Sequence, residues 1–187
     1  MHHVSEVILF PIKFREVGAE MNNANISLIG MPGVGKSSVG ILLAKASGRD
    51  FIDTDILIQN RYGTLLPMLI DQYGYDGFIA LEAQVIMSLK CKRAVIAPGG
   101  SVVYSAPAMD HLKSISMIYY LELSLENLER RLNDMQQRGV LLRPGQSLRS
   151  LYEERRPWYE HYADRTIQCD DKNIEAVLRD ILREAGR

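Results

Sequence analysis

The segment Gly30 to Ser38, GMPGVGKSS, has the spacing G-x-x-x-x-G-K-S, and each residue type in it has a chemical use. Glycines at 30, 33 and 35 let the main chain wrap closely around phosphate oxygens. Successive N–H groups of the loop, those of Val34 and Ser38 among them, then turn inward as donors. Lys36 can reach the outer phosphates, and the Ser37 hydroxyl can ligate Mg²⁺. A helix opening at this point adds its positive N-terminal end. The apolar run ISLIG, 26–30, precedes the motif and an amphipathic pattern follows it, the context that a nucleoside-triphosphate site requires.

Further groups with chemical potential follow. Asp53 and Asp55 flank Thr54; if that stretch is extended, both carboxylates point the same way, one toward Mg²⁺ and one toward a substrate hydroxyl. The bland alternative is that Asp55 merely caps the next helix. Gly99 and Gly100, after the apolar run RAVIA, expose bare backbone where a ligand can approach, or else form a plain turn. Arg155 and Arg156 precede Pro157 on a helical pattern and serve either an anion or a solvated face. A GTPase would need Asn-Lys-x-Asp after a later strand, and that is absent; DQYG, 71–74, follows no strand. A motor or transport ATPase would show an apolar strand ending in aspartate, which neither AVIAPGG nor IYYLEL supplies. A small-molecule kinase, with acids near the phosphates, a second anion pocket and a basic lid, remains.

These groups need a scaffold that gathers them. Short apolar runs at 26–30, 50–53, 93–97, 116–123 and 165–169 read as strands. Helical patterns fall at 36–47, 55–62, 64–72, 77–89, 106–113, 124–136, 148–163 and 173–185. Ser105 before Ala106-Pro107 and Ser124 are candidate N-caps, as is Asp76 ahead of Phe78. Alternating strands and helices, with nearly continuous apolar strands, predict an α/β fold: a doubly wound parallel sheet covered on both faces. The helix from 77 places Phe78, Leu81, Val85 and Leu89 toward a core and leaves Glu82 on a flank with Ile79 and Ile86. The stretch QQRGVLLRPGQS, 136–147, rich in Gly, Pro and Arg, reads as a mobile loop able to act as a lid.

With 187 residues, 47% of them hydrophobic, the chain suits one domain with a full-sized core. A net charge of -1 offers no general attraction to nucleic acid or to a membrane surface. No apolar run approaches the ~20 residues that span a bilayer. Cys91 and Cys169 lack metal spacing and read as reduced thiols. MNNANISLIG has the look of a natural chain start, so residues 1–24 are read as an extension and 25–187 as the working domain. A cytoplasmic monomer acting on a small molecule is expected.

The order GMxGxGKS, DxD, Phe-x-x-x-Glu on a helix, Gly-Gly after a strand, an arginine-rich loop and ER-x-P-x-Y…AD resembles the shikimate kinase family over nearly all of 25–185. The resemblance implies a five-stranded parallel sheet, ATP with Mg²⁺, and phosphoryl transfer to a hydroxyl of a small carboxylic acid. By the same resemblance Lys36 stabilises the transferring charge, Ser37 holds Mg²⁺ and Asp53 acts through metal-bound water. Asp55 binds the accepting hydroxyl and assists its deprotonation, Gly99 and Gly100 line the acceptor pocket, and Arg155 holds its carboxylate. Arg131 packs on adenine. A lid arginine completes the positive field on closure, Arg138 before Arg143.

Three departures fall in the acceptor half. The family pattern Phe-Arg-x-x-Glu appears as FIALE, so Ile79 stands where an arginine grips the carboxylate, and the third glycine after the strand is Ser101. The lid pattern RPLL appears as RGVLL. A charge-assisted hydrogen bond contributes about 1.5–3 kcal/mol, so losing one arginine weakens a carboxylate ligand roughly ten- to several-hundredfold. Glu82, freed of that partner, can meet an ammonium instead, which keeps homoserine in view as acceptor. A catalytically silent nucleotide-binding regulator and a nucleoside monophosphate kinase are the other readings.

Overall fold

The computed structural model describes residues 24–134, 143 and 145–185. The expected extension, Ala24 apart, and most of the expected lid loop, Arg138 included, lie outside these residues. Strands β1 (Asn25–Ile29), β2 (Asp50–Asp53), β3 (Ala94–Ala97), β4 (Ser116–Glu122) and β5 (Arg165–Gln168) form one sheet in the order β2-β3-β1-β4-β5. Every pairing is parallel. The helices are α1 (Lys36–Ser47), α2 (Thr54–Tyr62), α3 (Leu66–Met87), α4 (Ala106–Ile115), α5 (Leu125–Asp134), α6 (Leu148–Tyr162) and α7 (Ile174–Ala185), with a 3₁₀ turn at Val102–Tyr104. Parallel strands need crossovers long enough for a helix, which is why helix and strand alternate along the chain.

β1 and β3 are buried along their whole lengths, as central strands covered on both faces must be. β2 and β5 are edges and are more exposed. Polar Asn25 opens β1 at 3% exposure because its amide is fully used: Nδ2 donates to the carbonyls of Cys91 and Ile115, and Oδ1 accepts from the Ala94 N–H. The core joins Leu28, Leu43, Ile86, Ile96, Leu112, Tyr120 and Leu151 across both faces of the sheet. Ile58 of α2 packs with Leu69, Phe78 and Val85 of α3 in a separate apolar cluster. Burying each such side chain contributes about 1.5–3 kcal/mol. That cluster clamps α2 to α3 and so fixes the far wall of the cleft described next.

Three local expectations change. The helices expected at 64–72 and 77–89 are one element, kinked at Gly74, which has φ 70 and ψ 175. Helical geometry resumes at Tyr75, so Asp76 is no N-cap; its side chain is 92% exposed and pairs with Arg143. Glu82 and Ile86 are not on a flank: both are buried, whereas Leu81 is only partly so. Packing of α3 against α4 and the 3₁₀ turn rotates the buried face toward them.

Candidate active site

A cleft of about 500 Å³ opens at the carboxyl ends of β1, β2 and β3, where the strand order leaves β1 flanked by neighbours on both sides. The loop 30–35 joins β1 to α1 and brings its backbone into the cleft. Gly35 is the N-cap of α1 at φ 106, a conformation that disfavours a side chain, and a Cβ there would meet no protein atom within 4 Å. The open space in front of it faces the N-terminus of α1, a position suited to an anion. Gly30 and Gly33 are different: a Cβ on Gly30 would press on the Leu121 carbonyl and one on Gly33 on Leu132. Val34 is a core side chain, and its carbonyl accepts from Arg131 Nη1 at 3.0 Å, which ties α5 to the loop and sets Arg131 on the cleft wall. Ser38 lies on the wall as well.

Lys36 Nζ donates to the carbonyls of Gly30 and Met31 at 2.9 and 3.1 Å. Burial lowers its pKa to about 8, opposed by the nearby Asp55 carboxylate. Ser37 Oγ donates to Asp53 Oδ2 at 2.7 Å, so the two groups suited to a hard cation already stand together. The two aspartates reach this place by another route than extended chain. β2 ends at Asp53, whose Oδ1 accepts from the N–H groups of Asp55 and Ile56 and caps α2. Asp53, not Asp55, is the cap; Asp55 projects into the cleft from the first helical turn. Burial, then the charge of Asp53, raises the Asp55 pKa, which makes it a stronger proton acceptor.

The loop after β3 closes the other side. Gly99 N–H donates to Thr54 Oγ1 at 3.3 Å, and a Cβ on Gly99 would collide with Glu82 Oε1 and stand 3.0 Å from Asp55 Oδ1. Glu82, 1% exposed, accepts from Ser101 Oγ through Oε2, while its Oε1 has no hydrogen-bond partner among the described residues. Burial pushes the Glu82 carboxyl up to about 7, and the Ser101 bond opposes this. Arg155 is 1% exposed. Its Nε donates to Tyr104 Oη at 3.1 Å and its Nη2 to Tyr75 Oη at 2.8 Å. Tyr159 Oη donates to the Gly100 carbonyl at 2.7 Å, and a Cβ on Gly100 would stand 2.9 Å from Arg155 Nη1. Arg156 points outward to Glu160 and Glu122.

Lys36, Ser37, Asp53, Asp55, Glu82, Gly99, Gly100, Arg131 and Arg155 thus share one cleft. Ile79 is half-buried and Arg143 exposed, and neither lines the cleft. Arg143 lies over the Tyr75 ring, 4.6 Å from its centroid, with Asp76 and Glu154 beside it. Tyr75, Tyr104, Tyr159 and Thr54 escaped sequence reasoning. Nothing in their spacing links them to Arg155 or Gly99, although a tyrosine directly after a kinking glycine was a usable signal.

The family model described as shikimate kinase matches residues 32–185. The chain is 38% identical over 165 residues to a shikimate kinase of Methylococcus capsulatus, covering 86% of this chain and 92% of that one. It is 34% identical over 162 residues to one of Vibrio vulnificus, covering 85% and 94%. The chain belongs to the shikimate kinase family. Among solved structures, the shikimate kinase from Acinetobacter baumannii in complex with shikimate superposes with a TM-score of 0.77 at 32% identity, covering 86% of this chain and 92% of that one. That of Aquifex aeolicus gives 0.73, also at 32% identity, covering 85% and 94%. The five-stranded parallel sheet expected from the family resemblance is therefore the observed one. Among the described residues, no helix is long and apolar enough to cross a membrane.

Proposed function

We propose that this chain transfers the γ-phosphoryl group of ATP to a hydroxyl of shikimate. Membership of the shikimate kinase family supports the reaction, and the Acinetobacter relative was solved with shikimate. Within this molecule the observation that carries the reading is Arg155. It is a buried cation, and among the described residues no carboxylate lies within ion-pair reach of it. An uncompensated buried charge costs several kcal/mol, so the site is built for a ligand that brings the missing anion. A carboxylate on the acceptor does so.

Phosphoryl transfer asks the protein for alignment and for positive charge around the oxygens rather than for a covalent nucleophile. Loop amides and Lys36 would hold the transferred group, and Arg131 would flank the adenine. Asp55 would accept the proton of the attacking hydroxyl while Arg155 holds the far end of the acceptor. Ser37 and Asp53, already hydrogen-bonded to one another, would hold Mg²⁺, which would neutralise charge on the phosphates. Arg138, outside the described residues, is the proposed lid arginine, and Arg143 the alternative.

The unpartnered Oε1 of Glu82 favours a second reading, in which an acceptor ammonium completes it and homoserine is the substrate. A carboxyl pushed up to about 7 is a poor counter-ion at neutral pH, which favours shikimate. ADP release measured with shikimate, homoserine and gluconate under one set of conditions decides the matter. Shikimate is expected to turn over at micromolar to low-millimolar KM. Turnover of homoserine without shikimate refutes the proposal, and ATP binding without ADP release for any acceptor points to a silent regulator.

A further inference from the structure

Resting on shikimate as acceptor, we propose that Tyr75 and Tyr104 are positioning residues that hold Arg155 by hydrogen bonds without cancelling its charge, so that one arginine does the carboxylate recognition for which the family pattern has two. Arginine side chains are usually held in place by carboxylates, because a bidentate ion pair is rigid. That solution would be self-defeating here. With Ile79 in place of the second arginine, a carboxylate on Arg155 would leave the acceptor end of the cleft without spare positive charge. Phenols resolve the conflict: they accept N–H bonds and stay neutral.

The geometry has the required parts. Tyr75 and Tyr104 come from separate elements, the first residue beyond the Gly74 kink and the end of the 3₁₀ turn, and grip Nη2 and Nε respectively. The Tyr104 ring also lies under the guanidinium, 5.1 Å from its carbon, which adds a cation–π contact. The two rings meet edge to face at 6.4 Å, a favourable contact that holds them together. Nη1 packs against Gly100, which has no side chain to displace it. Burial pushes the Tyr104 hydroxyl up to about 12, which keeps it a phenol throughout the neutral range. The kink at Gly74 gains a purpose, since it brings Tyr75 round to Arg155.

The test compares Tyr75→Phe, Tyr104→Phe and the double variant with wild type, each with shikimate and with its carboxamide. Both substitutions keep the ring and remove only the hydroxyl. With shikimate, the double variant should raise acceptor KM by about tenfold, as expected for a mispositioned charge-assisted bond. The KM for ATP and kcat should stay within about twofold, since a positioning defect at the acceptor end leaves the phosphate cradle intact. With the carboxamide, which has no charge for Arg155 to find, the variants should differ little from wild type. Equal losses with both acceptors, parallel rises in both KM values, or unchanged shikimate KM would each overturn the proposal. Wild type inactive with shikimate would instead refute the function on which it rests.

Discussion

Glu82→Gln separates what the acceptor pocket needs from what the fold prefers. The Glu82 carboxyl is 1% exposed and its pKa is pushed from 4.5 to about 7, chiefly by burial. A raised carboxyl pKa means that the folded state holds a proton that the unfolded state has released. Stability from this group is therefore fully present below about pH 4.5 and is lost as pH rises through about 7. At about 1.36 kcal/mol per pH unit, the loss is on the order of 3 kcal/mol. Glutamine has no charge to lose but places an amide where Oε1 lacks a partner, at a cost of about 1–3 kcal/mol. The variant should therefore match or fall below wild type in stability near pH 4.5 and exceed it by about 1 kcal/mol near pH 8, or about 2–4 °C in Tm. Urea unfolding of both proteins from pH 4.5 to 8 is the assay, read as the difference between them so that other titrating groups cancel. A difference in stability that stays flat across this range would mean that Glu82 holds its proton no more tightly in the folded state than in the unfolded one.

Other outcomes follow from the same geometry. Lys36, lowered to about 8 by burial, should regain a proton when phosphates arrive, so ATP binding at about pH 8.5 should take up protons. Calorimetry in two buffers of different ionisation enthalpy reads this directly, and proton release would contradict it. The sign is the reverse of that for Glu82: without ligand, Lys36 makes the folded state more stable as pH rises from about 8 toward 10.5. Gly99→Ala sets a methyl against Glu82 Oε1 and Asp55 and should lower kcat/KM for the acceptor at least about tenfold, with ATP affinity retained. Ile79→Arg, one turn before Glu82 on α3, restores the second cation of the family pattern and should lower the shikimate KM about tenfold. Loss of activity without that gain would mean that the pocket is shaped for another acceptor.

The scaffold was readable in the sequence because its signals are local. Strand runs such as DFID and cap residues such as Ser105 report on neighbours a few positions away, and the structure follows them closely. The loop 30–35 was readable as a strand-to-helix turn for the same reason, its motif being contiguous. The acceptor end was less so. The Arg155 partners lie 51 and 80 positions away, and no periodicity records such a contact. Asp53 and Asp55 were paired correctly but for the wrong geometric reason. Alternation in a strand and the first turn of a helix both bring residues two apart into one cleft, and the sequence DTD does not distinguish them. Glu82 looked like a flank residue because helical spacing ranks positions by apolarity, whereas packing against α4 and the 3₁₀ turn decided which face was covered.

Asp53 carries a lesson for anyone dissecting this site by mutation. One of its oxygens meets Ser37 and the other holds the start of the helix that presents Asp55. A substitution meant to probe the proposed Mg²⁺ site therefore also loosens the seat of Asp55, the proposed base, and the two losses arrive together in any rate measurement. Asparagine, which keeps an acceptor for the cap, would report on the cation alone; alanine would report on both. The difference between those two variants measures how far the helix start, rather than the ion, keeps Asp55 in register with the cleft.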